Sequence, residues 1–216
     1  MNVECVQLIV STLLYFFIFV CGFAISIPLG VITNGVAGCI LYGELESQSA
    51  TRFILNFSPM SNCDFPMYCG VFVCIIYAFG MGVYNSYTIY KSKKDTSNYN
   101  QPQMLVMAVL AVNSLATLLV FVSSCIVSAG FRELCDSLTQ DKPYQYFPSC
   151  EEAQNQKLVI VGTDHQVSAG TFYTNFNVTQ AASWICTFLW LALVISGVVR
   201  FKLSRRMQTR GGAPSA

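Results

Sequence analysis

LLYFFIFVCGFAISI, residues 13–27, decides the fold. It holds no charged side chain, and the charge-free stretch around it covers residues 5–43. About 20 helical residues at ~1.5 Å rise cross the ~30 Å hydrocarbon core of a bilayer. Three further stretches, residues 65–90, 96–131 and 165–199, also lack Asp, Glu, Lys and Arg, and each contains an apolar run of spanning length. The chain therefore reads as an all-α, four-transmembrane-helix bundle forming a single membrane domain over residues 1–216. Composition agrees: 54% of residues are hydrophobic and 11% charged, against about 25% charged in soluble domains. The net charge of +1, without a clustered excess of Lys and Arg, argues against a nucleic-acid partner. The lipid bilayer is the first partner.

The spans are placed at about residues 6–29, 66–90, 104–131 and 179–199. Pro28 lies near the end of the first, where a helix stops or kinks. Pro66 suits a first helical turn, where its missing N–H has no intrahelical partner to lose. Trp190 lies inside the fourth span and Trp184 near its expected interface. A cleavable signal peptide is the rival reading of the first span. It is disfavoured because no basic n-region precedes the run, the run exceeds an h-region, and no Ala-x-Ala-like site follows closely.

Loop charges give sidedness. The link, residues 91–103, carries Lys91, Lys93 and Lys94, and the tail, residues 200–216, carries Arg200, Lys202, Arg205, Arg206 and Arg210. The other two loops, residues 30–65 and 132–178, are rich in acids, including Glu44, Glu46, Asp64, Glu133, Asp136, Glu151 and Glu152. By the positive-inside rule the link, the tail and both termini are cytosolic, in the plasma membrane or an endomembrane. YKSKK (residues 90–94) and RFKLSRR (residues 200–206) are topological anchors that also suit anionic lipid, at ~1 kcal/mol per basic residue near the surface.

Cysteine placement points the same way. Cys39, Cys63, Cys135 and Cys150 fall in the outer loops, and an even set on the oxidising side reads as disulfides. Three connectivities are open; pairing within loops, Cys39 with Cys63 and Cys135 with Cys150, closes the shorter chains. Zinc is the competing use, but close Cys-x-x-Cys spacing is absent. Cys21, Cys69, Cys74, Cys125 and Cys186 lie in spans, as small packing residues. Cys5 at the cytosolic end of the first span reads as packing, with palmitoylation as the alternative.

The outer loops contain short β-rich runs. GCILYGEL (residues 38–45) pairs with TRFILNF (residues 51–57), and KLVIVGT (residues 157–163) with TFYTNFN (residues 171–177). Two hairpins braced by disulfides predict a small extracellular antiparallel sheet. NFS at Asn56 and NVT at Asn177 are candidate glycosylation sequons.

FVSSCIVSAGFRELCDSLT (residues 121–139), SCEEAQ (149–154), FYTNF (172–176) and AASW (181–184), with GCILYGEL and SNCDF (61–65), resemble the transmembrane protein 179 family, most of all its 179B branch. The order of these pieces covers nearly the whole chain. The resemblance implies a claudin-like four-helix layout. Loop one lacks the Trp-containing signature and close cysteine pair of claudins proper, and the Cys-Cys-Gly of tetraspanins is missing. No activity, cofactor or binding residue is carried over.

Catalytic and cofactor signatures are absent: there is no Ser elbow, His-Glu-x-x-His or phosphate loop. The single histidine, His165 beside Asp164, reads as a solvated loop residue. The spans have no ionisable side chain in their middles, which counts against an ion- or proton-coupled transporter. Asn113 and Thr117 lie one turn apart on the third span, with Ser114, Ser123, Ser124 and Ser128 nearby. Helix packing is their expected role, and lining a pore the alternative. Gly22 with Ser26, and Ser124 with Ser128, have the small-xxx-small spacing of close helix pairs. The expected function is that of a non-enzymatic, cofactor-free protein, without metal, that organises or modulates other membrane proteins. The alternative is a small oligomeric channel or transporter; a membrane-embedded enzyme is the weaker third reading.

Overall fold

The computed structural model describes residues 3–36, 38–49, 52–94, 103–139, 147–153, 157–160, 166–168 and 171–211. α1 is Val3–Val36. Strands β1 (Cys39–Ser49) and β2 (Arg52–Ser58) follow. The second membrane helix is continuous but built of three parts: α2 (Ser61–Cys69), a π-helical stretch (Gly70–Tyr77) and α3 (Ala78–Lys94). α4 is Gln103–Thr139, the single turn α5 is Cys150–Ala153, β3 is Lys157–Ile160, β4 is Gln166–Ser168, and α6 is Phe172–Gly211. All four long helices are long and apolar enough to cross a membrane. The protein is a multi-pass integral membrane protein with four spans.

The helices outrun the apolar stretches. With 34 residues, α1 rises about 51 Å, well beyond the ~30 Å core. It continues through Pro28 to Val36, so the predicted stop at residue 29 is not a helix end. Leu29 and Ile32, just past the proline, are buried, and that packing outweighs the lost backbone hydrogen bond. Likewise α4 runs past residue 131 to Thr139, α6 starts at Phe172 rather than 179, and Pro66 lies inside α2 rather than in its first turn. The basic tail continues α6 as far as Gly211.

Around the bundle α1 packs on α6, α6 on α4, α4 on the second membrane helix, and that helix back on α1. Only 22–33% of each span's most apolar window is buried. The remainder, including Phe16, Phe72, Phe79, Leu118, Phe188 and Ile195, is the face a bilayer covers. Lipid tails are as apolar as leucine, so close packing and interhelical hydrogen bonds, rather than hydrophobic burial, hold such helices together.

The helix extensions carry a second core. Leu29, Ile32, Leu41, Phe131, Leu134, Leu138, Phe147, Phe172 and Phe176 pack there together with Cys39 and Cys63. This separates it from the membrane core of Tyr15, Ile18, Ile25, Cys74, Ala116, Val120, Cys186 and Trp190. The sheet has the order β1-β2-β3-β4. Both hairpins are antiparallel, with Leu45 opposite Leu55 and Leu158 opposite Val167, but β2 meets β3 in parallel, Ile54 opposite Val159. The expected antiparallel pairing is present in β1–β2 and β3–β4, and the parallel β2–β3 pairing joins the two hairpins into one sheet.

A second correction concerns TFYTNFN, predicted as a strand. Residues 172–177 form the first turns of α6. Phe172 and Phe176 are buried four residues apart, a helical spacing, and the Phe176 ring lies 5.3 Å from Phe131. Thr171 accepts hydrogen bonds from the Asn175 backbone at 2.9 Å and its side chain at 3.1 Å, which starts the helix. The strand that pairs with β3 is Gln166–Ser168 instead.

Candidate functional site: the polar seam of the bundle

Helix approach sets the geometry. A Cβ built on Gly22 would lie 2.7 Å from Ile75 Cγ1 and 3.1 Å from the Gly70 carbonyl oxygen, and one on Gly70 would collide with Ser26 Oγ. Glycine at both positions therefore lets α1 touch the backbone of the π-helical stretch. Ser26 Oγ donates to the Met67 carbonyl at 3.3 Å across the same contact. The small-xxx-small pair Gly22 and Ser26 is thus an interface between the first two membrane helices.

Closer to the basic end, four side chains from four helices meet. The Asn113 amide of α4 is the hub. The Tyr15 hydroxyl of α1 donates to Oδ1 at 3.1 Å and accepts from Nδ2 at 2.9 Å. Tyr77, at the end of the π-helical stretch, donates to the same Oδ1 at 2.9 Å. Trp190 of α6 is fully buried; it stacks on Tyr77 at 5.9 Å and meets Tyr15 edge-on at 6.0 Å. Three rings and one amide close the bundle axis at this level. Thr117, one turn on, donates to the Asn113 carbonyl at 2.8 Å. Both Asn113 and Thr117 are buried, engaged in packing hydrogen bonds.

The seam continues toward the acidic end. Ser124 and Thr187 hydroxyls are 3.0 Å apart between α4 and α6, and Trp184 donates its indole N–H to Ser128 Oγ at 2.9 Å. Cys74 and Cys186, both reduced, bring their sulfurs to 3.3 Å. Among the described residues no cluster of three or more His, Cys, Asp or Glu could hold a metal ion.

On the basic side of the Asn113 hub the bundle opens into a cleft of about 50 Å³, with Ser11, Asn85, Ser196 and Arg200 contributed by three helices around it. Gln7 Oε1 and Trp190 Nε1 are the two buried side-chain polar atoms without a hydrogen-bond partner among the described residues. Gln7 lies at the same, basic end of α1.

In the outer part, Cys39 is bonded to Cys63 and Cys135 to Cys150. The first tethers β1 to α2, the second ties α4 to α5. Tyr42 holds the left-handed backbone conformation, φ 62°, inside a register irregularity between Cys39 and Glu44. Its ring lies over Gly130, where an added Cβ would collide with Leu41 and Tyr42. Burial, and then the Glu133 carboxylate, push the Tyr42 phenol above its usual range. Asn56 is exposed on β2, and Asn177 is exposed on α6 with its amide donating to the Tyr173 carbonyl at 2.9 Å. His165 and Asp164 lie outside the described residues.

The sequence reading brought forward Asn113 and Thr117 but not their partners. Tyr15, Tyr77 and Asn85 carried a usable signal: each is a hydrogen-bonding side chain within a charge-free stretch.

Comparison with known sequences places the chain in a family. The family description that matches, Transmembrane protein 179/179B Claudin domain, extends over residues 7–214. The chain belongs to the transmembrane protein 179/179B claudin-domain family. It is 25% identical to transmembrane protein 179B of Danio rerio over 211 residues, which is 97% of this chain and 90% of that protein. It is 28% identical to the Mus musculus protein of that name over 94% of this chain and 88% of the relative. With the Homo sapiens one it shares 34% identity over 43% of this chain and 39% of the relative. No solved structure matches.

Proposed function

We propose that this chain is a non-enzymatic membrane protein that organises or modulates other membrane proteins, with both termini cytosolic and the disulfide-braced layer facing outside or a lumen. The observation that carries the proposal is closure of the bundle axis: Tyr15, Tyr77, Asn113 and Trp190 fill the centre with hydrogen bonds to one another and stacked rings. A bundle sealed in this way offers its lipid-facing helices and its outer layer for contact. The outer layer is the part with specific relief, fixed by two disulfides and a buried core of its own. The exposed sequons Asn56 and Asn177 lie on that side and are its candidate glycan acceptors.

The test is affinity purification from mild detergent, comparing the wild type with Gly130→Leu, which unseats β1 from α4. The proposal expects a reproducible set of membrane proteins that depends on the intact outer layer. A chain recovered alone from native membranes contradicts it. Among the described residues, the cleft at the basic end is what favours the rival, a small oligomeric channel, and its lining reaches Tyr15 and Asn113 of the hub. Solute flux through liposomes holding the pure protein would decide for the channel.

A further inference from the structure

Four of the span cysteines meet in the membrane core. Cys69 and Cys74 of the second membrane helix and Cys186 of α6 are buried in it, and Cys21 of α1 packs against it. Cys74 and Cys186 are fully buried, and their sulfurs are 3.3 Å apart. A lone buried cysteine is an inert packing residue. A pair in sulfur contact differs from it. Closing from 3.3 Å to the ~2.05 Å of a disulfide takes a shift of only about 1.2 Å.

Two further observations give the pair a role beyond packing. The second membrane helix and α6 stand diagonally in the bundle: each packs on α1 and α4, and they do not pack side by side. A bond between Cys74 and Cys186 therefore crosses the bundle axis and ties two helices that otherwise meet only through side chains. The other observation is Trp190, one turn from Cys186 on α6. Its buried Nε1 has no hydrogen-bond partner among the described residues, and that N–H bears on the Cys74 sulfur. A donor held in a water-free site favours negative charge on the atom it faces, which marks Cys74 as the nucleophile of the pair.

We propose that Cys74 and Cys186 are a redox modification site: hydrogen peroxide oxidises them to a reversible disulfide that locks the second membrane helix to α6. Hydrogen peroxide is neutral and close to water in size, so it crosses lipid where a charged oxidant does not. The Cys74 sulfur attacks one peroxide oxygen. The S–O bond forms, the O–O bond breaks, and the thiol proton leaves with the other oxygen as water. Cys186 then attacks the sulfenic sulfur. The S–S bond forms, the S–O bond breaks, and the hydroxyl leaves with the Cys186 proton as a second water. The two thiols lose two electrons and two protons, and the peroxide is reduced to two waters.

The test treats the full-length protein in liposomes with hydrogen peroxide, then denatures, alkylates and maps it without reduction. The internal control is Cys125 of α4, a free cysteine outside this core and less buried than the pair. Access alone predicts that Cys125 oxidises first. The proposal expects the reverse: a peptide joining Cys74 to Cys186 accumulates on the order of tenfold faster, because the second thiol is already in place. Dithiothreitol restores both thiols. The oxidised protein melts at a higher temperature, since the new bond spans a separation of 112 residues and constrains the unfolded chain. Cys186→Ala abolishes that rise and leaves Cys74 as a sulfenic acid that dimedone traps, while Cys69→Ala leaves the link intact. The mapping of the wild type needs no variant, so it decides even where Cys186→Ala does not fold. Both thiols fully alkylated after treatment, or oxidised no faster than Cys125, overturns the proposal and leaves two packing residues. A link from Cys74 to Cys21 or Cys69 in place of Cys186 overturns it as well.

Discussion

Replacing Asn113 with leucine removes the hub of the membrane core and nothing else of comparable polarity. Two interhelical partnerships disappear, to Tyr15 on α1 and to Tyr77 on the second membrane helix. Interhelical hydrogen bonds in membranes average about 0.6 kcal/mol and reach about 1.7. The loss of both therefore costs about 1.2–3.4 kcal/mol of helix association, with membrane insertion and abundance nearly unchanged because the span becomes more apolar. Tyr15→Phe removes one partnership and should cost about 0.6–1.7 kcal/mol. A double-mutant cycle isolates the pair. Unfolding is followed in mixed detergent by fluorescence, to which Trp190, stacked on Tyr77, is a local reporter. A coupling energy near zero between Tyr15→Phe and Asn113→Leu would refute the reasoning. A solute flux lost from folded Asn113→Leu protein would show that the amide lines a path instead.

Three further outcomes are expected. Gly130→Ala forces a Cβ against the fully buried Leu41 and should destabilise the outer layer by about 1–3 kcal/mol, as overpacking does; Gly80→Ala, with nothing within 4 Å, is the matched control and should be neutral or mildly stabilising in the same melting assay. Cys135→Ser or Cys150→Ser impairs maturation and the double variant is no worse than either single, since one bond closing a 15-residue separation is lost in every case, at about 3 kcal/mol in the chain-entropy model; peptide mapping that finds Cys135 joined to Cys39 or Cys63 contradicts this. Tags at both termini should be reached by antibody in intact cells only after permeabilisation, because the basic residues concentrate at that end; surface staining of either terminus contradicts the sidedness.

Charge spacing made the four spans legible, because lipid enforces long uncharged helices regardless of neighbours. Helix ends were not legible in the same way. Pro28 lies within α1 and Phe172 opens α6 because a protein core above the membrane, built on Leu29, Phe131 and Phe176, holds those turns. TFYTNFN has aromatic, β-rich composition, and only the spacing of Phe172 and Phe176 tells that it is helical. The parallel pairing of β2 with β3 joins segments distant in sequence, which no local pattern reports. At the seam, Asn113 stood out as an amide in an apolar run. Its partners Tyr15 and Tyr77 gave a weaker signal, because a tyrosine in a charge-free stretch is also an ordinary residue for a lipid-facing surface. The tight contact of Gly22 with Gly70 depends on the π-helical stretch, whose register sequence periodicity does not disclose.

The most direct test of a sealed bundle is substituted-cysteine labelling in a background where Cys5 and the free cysteines Cys21, Cys69, Cys74, Cys125 and Cys186 are replaced by serine or alanine. A membrane-impermeant, water-soluble maleimide is applied from each side to the reconstituted protein carrying either Ser196→Cys, at the cleft, or Thr117→Cys, one turn beyond the hub. The account predicts that Ser196→Cys reacts from the basic side alone and that Thr117→Cys reacts from neither. Labelling of Thr117→Cys from either aqueous side would mean an open path through the bundle, and the closure of the axis by Tyr15, Tyr77, Asn113 and Trp190 would be contradicted.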